Sequence, residues 1–450
     1  MNASFTARLR RFGQGLTTLD PLCLVVLGYA SYIVTGWALL CLPWSQHAPG
    51  GADWLDHLFI ATSAVSTTGL STVSTADTYT WFGEAVVLAL IQFGGLGYMT
   101  ISSCLLMAFS GGRIAPWRER VGTVSLMLPP GFDFRRFLIL IIGYTAAIEM
   151  VGAILMYPIF RDAGVPAPTW QAVFHSVSAF CTAGFGLFND SLESYRGHHG
   201  LNLIVLALSY LGAIGFLVVN DARLSLVRRK AAVTFTTKLI LVCTLAISLV
   251  GTVLLVVAEP SLTALPLGER WLAAWFQVAS ASTTVGFNTI PIGAVSDASL
   301  FLLTIVMIIG ASPAGTGGGL KTTTFTALWG VMLAVVRRRE RPSLLGREIP
   351  VVRIRSAVAS LLLYSLTLAT GIFALALAQP ESLLADQVFE CISALGTVGL
   401  SRGLTGSLDG IGMGIVIVLM FIGRVGPLGL GMIFFRHGPQ PAAPEEDVIV

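Results

Sequence analysis

Charge is scarce in this sequence. Of 450 residues only 11% are Asp, Glu, Lys or Arg, 54% are apolar, and the mean hydropathy is +0.80. A soluble domain carries about a quarter charged residues, so a water-solvated globule is excluded and an integral membrane protein is implied. Cysteine is scarce too. The six present (Cys23, Cys41, Cys104, Cys181, Cys243 and Cys391) are scattered through apolar stretches with no CxxC pair, which excludes a disulfide scaffold and gives no transition-metal site. The six histidines show no helical pairing that suggests a ligand set. No nucleophile and base stand at a telling spacing, so an intramembrane hydrolase is disfavoured and no enzyme is expected. The glycine-rich run GTGGGLKTTT at 315–324 fails as a phosphate loop: Leu320 separates Gly319 from Lys321, no strand precedes it, and it lies in an apolar span. Nucleotide sensing, if present, therefore belongs to another chain.

What the sequence has is long apolar runs. Leu22 to Leu42 is long enough to cross a bilayer and ends at no cleavage site, so it reads as a retained span. Further runs lie at about 82–110, 137–160, 200–219, 239–258, 298–336, 356–378 and 410–435, giving eight spans. An even number returns both termini to one side. Of the 27 basic residues, 21 fall in the N-terminus, every second connection and the tail. Only Arg161, Arg196, Arg270 and Arg402 lie on the other side. The positive-inside rule then places both termini in the cytoplasm of a plasma-membrane protein. The outer connections hold 14 acidic residues, which raise the local cation concentration or simply keep that face soluble.

One short string recurs. Aligned on a glycine, FIATSAVSTTGLS (59–71), FHSVSAFCTAGFG (174–186), FQVASASTTVGFN (276–288) and FECISALGTVGLS (389–401) all obey F-x-x-x-S-A-x-x-T-x-G-[LF]. The glycines stand 115, 102 and 113 residues apart, so the chain is four copies of one unit. Each unit holds a long span, an outer link, a short apolar stretch ending in the template, and a second long span. About 12 apolar residues are too few to cross, which predicts a re-entrant helix whose return leg lines water or protein. The units divide the chain into a cytoplasmic N-terminus (1–20), repeat 1 (21–112), repeat 2 with its preceding link (113–225), repeat 3 (226–340), repeat 4 (341–437) and a cytoplasmic tail (438–450). A second echo marks each closing span: GGLG at 94–97, GAIG at 212–215, GASP at 310–313 and GRVG at 423–426. Small residues there allow helices to approach closely.

Four re-entrant loops about a pseudo-fourfold axis would bring four backbone segments face to face. Glycine permits positive φ, so successive carbonyls can point inward and replace the water shell of a cation. The short helices would aim their partly negative C-termini at the same axis. Thr284-Val285-Gly286 and Thr397-Val398-Gly399 are TVG, as in a potassium-channel filter; Thr67-Thr68-Gly69 and Thr182-Ala183-Gly184 are variants. Potassium bound at these residues is the expected metal ion. The third closing span cannot be one helix, since Gly310 to Gly319 contains five glycines and Pro313. It must break near mid-membrane, below the filter. Arg424 is a cation inside a span, which costs several kcal/mol unless paired or wetted. It is expected to line the pore, while Lys321 and Glu149 fit structural pairing equally well.

The four-unit layout, the four templates and the segment IGASPAGTGGGLKTTTF resemble the membrane subunits of the Ktr potassium uptake systems (KtrB), within the Trk/Ktr/HKT superfamily. The resemblance implies an all-α polytopic fold: four helix, re-entrant pore loop and helix repeats around a central pore. It also implies channel-like potassium uptake, with sodium dependence open, and no cofactor in this chain. Eight spans favour the Ktr layout over TrkH, which carries two extra N-terminal helices. In the superfamily, serine at the first filter glycine accompanies sodium transport; here Gly69 is intact. The resemblance further makes 310–324 an intramembrane gating loop, with Gly310, Pro313, Gly315, Gly317, Gly318, Gly319, Lys321 and Arg424 as gate residues. Its implied partners are a second copy of the chain, a cytosolic ring of RCK-type nucleotide-binding subunits (KtrA-like) and the bilayer, with no nucleic acid. The basic stretch Arg337 to Arg355 and the tail EEDVIV could dock such a ring; anionic lipid accounts for the arginines equally well. Two other classes stay open: a pump subunit like KdpA, whose family has longer chains, and a proton-coupled carrier, for which Glu149 is almost the only intramembrane carboxylate.

Overall fold

The computed structural model describes residues 21–48, 50–97, 100, 103, 133–228 and 233–434. The N-terminal segment 1–20, the tail 438–450, Cys104, Arg113, Arg118, Arg120, Arg229, Lys230, Arg436 and the end of the first closing span lie outside them. Among the described residues the fold is helical apart from one two-stranded hairpin, Ser343–Leu344 with Arg347–Glu348.

Each unit contributes the same three parts. The outer helices are α1 (Pro21–Leu40), α4 (Phe134–Asp162), α8 (Phe235–Ala258) and α12 (Val351–Ala378). All four are long and apolar enough to cross a membrane. On α4, α8 and α12 large apolar side chains such as Ile154, Leu249 and Leu366 face outward, 59–65% exposed. The polar template threonines are wholly buried. This inside-out distribution is what a lipid surround selects and water penalises.

The template helices are α2 (Trp54–Ser66), α5 (Pro168–Phe180), α9 (Leu267–Thr283) and α13 (Leu384–Gly396). Three have 13 residues and one has 17, so none spans a bilayer at 1.5 Å per residue. They start where the sequence offers an N-terminal signal, as with the reciprocal Asp53/Asp56 capping box of α2 or Pro168 in the first turn of α5. Their template phenylalanines, Phe59, Phe174, Phe276 and Phe389, are at most 1% exposed and sit in three separate hydrophobic clusters.

Two of the closing helices depart from expectation. In place of continuous spans, those of repeats 2 and 4 bend at the glycine element, while that of repeat 3 breaks there as its glycines and Pro313 require. α6 (His199–Ala213) meets α7 (Phe216–Arg228) at 92°, and α14 (Gly410–Val425) meets α15 (Pro427–Phe434) at 89°. Repeat 3 breaks into α10 (Asp297–Ile308) and α11 (Thr322–Val336), joined by a loop at 309–321. In repeat 1, α3 (Trp81–Leu96) ends at Gly97. The cause is local: Gly97, Gly215 and Gly426, each fourth in its element, have φ of +84°, +92° and +91°, a region that turns a helix and favours glycine. Among the described residues four helices are long and apolar enough to span singly, or up to six if each bent pair is one span, with α3, α10 and α11 as shorter apolar helices. The loop also ends earlier than 324, because α11 begins at Thr322.

Candidate functional site

The first glycine of three of these elements packs on the end of a template helix. A side-chain carbon at Gly94, Gly212 or Gly423 would overlap the carbonyl of Val65, Phe180 or Leu395. Each of these carbonyls lies four residues before its template glycine. The closing helices thus clamp the template helices at the point where they stop.

They stop the same way four times. Thr67, Thr182, Thr284 and Thr397 adopt left-handed backbone at φ +53°, +52°, +61° and +52°. The next residue's N–H reaches back to the template serine: Thr68 to Ser63 at 2.9 Å, Ala183 to Ser178 at 2.9 Å, Val285 to Ser280 at 3.1 Å and Val398 to Ser393 at 2.8 Å. That back-bond is the Schellman closure, which glycine ordinarily makes. A β-branched residue there costs on the order of 1–3 kcal/mol, and such strain concentrates at functional sites. Sequence reasoning assigned positive φ to the glycines alone. It also gave the template serines no role, although their recurrence was the signal. In repeats 1 and 4 the serine hydroxyl accepts the glycine N–H, Gly69 to Ser63 at 3.1 Å and Gly399 to Ser393 at 3.0 Å.

The four glycines close a ring. A methyl carbon built on Gly69 would meet the Ala183 carbonyl oxygen at 2.5 Å and lie 3.1 Å from the Gly184 Cα. Built on Gly184, it would meet the Val285 oxygen at 2.5 Å, with the Gly286 Cα at 3.2 Å. On Gly286 it would overlap the Val398 oxygen and lie 3.2 Å from the Gly399 Cα; on Gly399, the Thr68 oxygen, with the Gly69 Cα at 3.1 Å. Each glycine thus abuts the next repeat's, and the fourth returns to the first. All four have positive φ, +69° to +94°. The carbonyls they meet belong to Thr68, Ala183, Val285 and Val398, each one residue before a glycine of the ring and one after a left-handed threonine.

The loop between α10 and α11 sits directly beneath. The Thr67 hydroxyl points to the Thr316 carbonyl at 3.4 Å, and the Thr182 and Thr316 hydroxyls are 3.0 Å apart. A side chain on Gly317 or Gly318 would overlap the Thr284 or Thr397 hydroxyl. One short segment therefore touches the lowest threonine of every repeat. The loop is fastened by main-chain bonds: Thr316 N–H to Gly212 O at 3.2 Å, Ser312 N–H to Ala213 O at 3.1 Å, and Phe216 N–H to the Ala314 carbonyl at 2.9 Å. Lys321 donates to the Gly317 carbonyl at 2.8 Å. Gly310 abuts Gly318 and Gly319, and Gly315 abuts Ala213, so neither position has room for a side chain. The Pro313 carbonyl packs on Gly215.

Arg424, from the end of α14, reaches the same place. Its guanidinium donates to the Thr316 carbonyl, to the Thr67 hydroxyl at 3.0 Å, to the Gly94 carbonyl and to the Gly95 carbonyl at 3.3 Å. No carboxylate pairs with it among the described residues. A planar fork with five donors suits such a set of carbonyls better than an ammonium would. Glu149 forms no ion pair with that cation; it accepts from Gln92 at 3.2 Å and lies 3.7 Å from Cys181.

The sequence matches the family TrkH, described as cation transport protein, over residues 42–444. It is 33% identical over 433 residues to Ktr system potassium uptake protein B of Vibrio alginolyticus, covering 95% of this chain and 94% of that one. To the protein of the same name from Bacillus subtilis it is 34% identical, covering 91% of each. To potassium/sodium uptake protein NtpJ of Enterococcus hirae it is 34% identical, again covering 91% of each. Among solved structures, the potassium transporter TrkH from Vibrio parahaemolyticus superposes with a TM-score of 0.70 at 21% identity, covering 93% of this chain and 86% of that one; this likeness speaks to the fold. With its apolar outer helices and four-unit helical architecture, the chain is a multi-pass membrane protein that belongs to the TrkH family of cation transport proteins, a transporter and not an enzyme.

Proposed function

We propose that the chain is a potassium-selective pore for uptake, its filter the ring at Gly69, Gly184, Gly286 and Gly399 and its gate the loop at 309–321 held by Arg424. The observation that carries this is the closed ring of glycines. Backbone carbonyls gathered on one axis can replace a cation's hydration shell, and the negative ends of four short helices favour positive charge there. The relatives' names, potassium uptake for two and potassium/sodium uptake for the third, support the same cargo. Glycine in all four filter positions favours potassium over sodium.

The loop occupies the path below the ring, so ions pass only when it moves aside. Arg424 serves the closed state twice. It binds a loop carbonyl, and its unpaired positive charge opposes a cation in the same space. Eight spans with both termini in the cytoplasm, a pairing of two chains and a cytosolic RCK-type ring that moves the loop complete this reading. The words "Ktr system" in the relatives' names support a multi-component assembly.

The test is flux. Purified protein in liposomes should take up rubidium tracer, block with external potassium and discriminate against sodium. Equal competition by the two ions would overturn the potassium assignment.

A further inference from the structure

The filter's return legs, the residues just outside each glycine, are fastened unequally. In repeat 1 the Thr72 hydroxyl donates to Asp56 at 2.7 Å. In repeat 2 the Leu187 N–H donates to His175 Nε2 at 3.4 Å, while Nδ1 donates to the Gln171 carbonyl at 2.8 Å. That fixes the tautomer, and the ring stacks on Phe188 with centroids 4.7 Å apart. In repeat 4, Glu390 accepts from the hydroxyls of Thr405 and, at 3.0 Å, Ser401, and Asp386 pairs with Arg402 at 2.5 Å. The fasteners recur at two positions of the template helix. Asp56 and Asp386 stand thirteen residues before their glycines; His175 and Glu390 stand nine before theirs.

Repeat 3 has neither. Its residue at the first position is Ala273, and at the second Gln277, which is wholly buried with both amide atoms unpartnered among the described residues. Its leg is held by the Ser280 hydroxyl on the Phe287 carbonyl at 2.5 Å and by the neighbouring repeat: Asn288 donates from its side chain to Glu193 at 2.7 Å and from its backbone to Ser191 at 3.1 Å.

We infer that His175 and Glu390 are positioning residues for ion discrimination, holding the legs of the second and fourth filter segments, while Gln277 at the same helix position of the third holds nothing. Neither side chain touches the ion. Each acts through the backbone or hydroxyls two to six residues beyond the glycine, so losing it lets the carbonyls of that segment relax toward the shorter distance that sodium prefers. The inference rests on the potassium reading above.

The experiment compares Glu390→Met, His175→Met and Gln277→Met in liposomes, reading the ratio of potassium to sodium competition for rubidium uptake. Ser401→Ala, a milder cut of the same tie, serves where Glu390→Met does not insert. Losing a fully buried tie should lower discrimination by about tenfold at Glu390 and somewhat less at His175. Gln277→Met should keep the parental ratio. Glu390→Gln, which can still bond both hydroxyls, should restore most of it. Unchanged ratios in Glu390→Met or Ser401→Ala together with His175→Met, or an equal fall in Gln277→Met, overturn the inference. A parental protein without potassium preference overturns the potassium reading itself.

Discussion

Replacing Arg424 by alanine should open the closed pathway. In the structure the guanidinium makes two contacts that bear on the loop, the Thr316 carbonyl directly and the Thr67 hydroxyl beside it, and two more that hold it against α3. A hydrogen bond to a charged group is worth about 1.5–3 kcal/mol net. Removing the direct tie would leave Thr316 held by its N–H on Gly212, by its hydroxyl on Phe180 at 3.2 Å and beside Thr182 at 3.0 Å, and by the long 3.4 Å contact from Thr67 to its carbonyl. The closed state should then lose about 2–3 kcal/mol, equivalent to roughly 30- to 150-fold in its equilibrium with open forms. Removal of the positive charge lowers the barrier to a cation further, so the estimate is a lower bound. The assay is initial rubidium uptake into liposomes per inserted protein, without any regulatory partner. Arg424→Lys should fall between, because one ammonium cannot serve carbonyls on two sides. Uptake by Arg424→Ala equal to or below that of the parent would refute the argument.

Other perturbations have equally definite outcomes. Deleting Ala311 to Gly317 should raise rubidium uptake at least as much as Arg424→Ala; no increase would mean the loop is not the obstruction. Gly69→Ser places a side chain at φ +94° against the Ala183 carbonyl and Gly184. It should weaken discrimination against sodium severalfold in a competition assay, while uptake of sodium itself persists. Gly212→Ala would drive a methyl into the Phe180 carbonyl where α6 clamps α5. A cost of about 1–3 kcal/mol for overpacking should appear as a drop of several degrees in the melting temperature of the purified protein.

The sequence made the site legible because the unit is repeated. One threonine-rich turn would say little, but four aligned templates identified the re-entrant helices and their glycines, and the structure brings those glycines into one ring. The break in the third closing span was readable from Pro313 and five glycines. The bends at Gly215 and Gly426 were not, since two glycines three apart look the same whether they pack two helices or turn one. The left-handed threonines were hidden for a related reason: residue type argues against that conformation, and only the packing of four loops on one axis enforces it. Arg424 could be expected to avoid lipid because of its cost there, whereas its acceptors, backbone carbonyls from residues more than 100 positions away, carry no mark in the sequence.

The most direct test is to see the ion. Electron density or anomalous scattering from the protein in rubidium or thallium should place a peak on the axis enclosed by Gly69, Gly184, Gly286 and Gly399, lost on exchange into sodium. An empty ring, with the heavy cation bound elsewhere in the protein, would contradict the account.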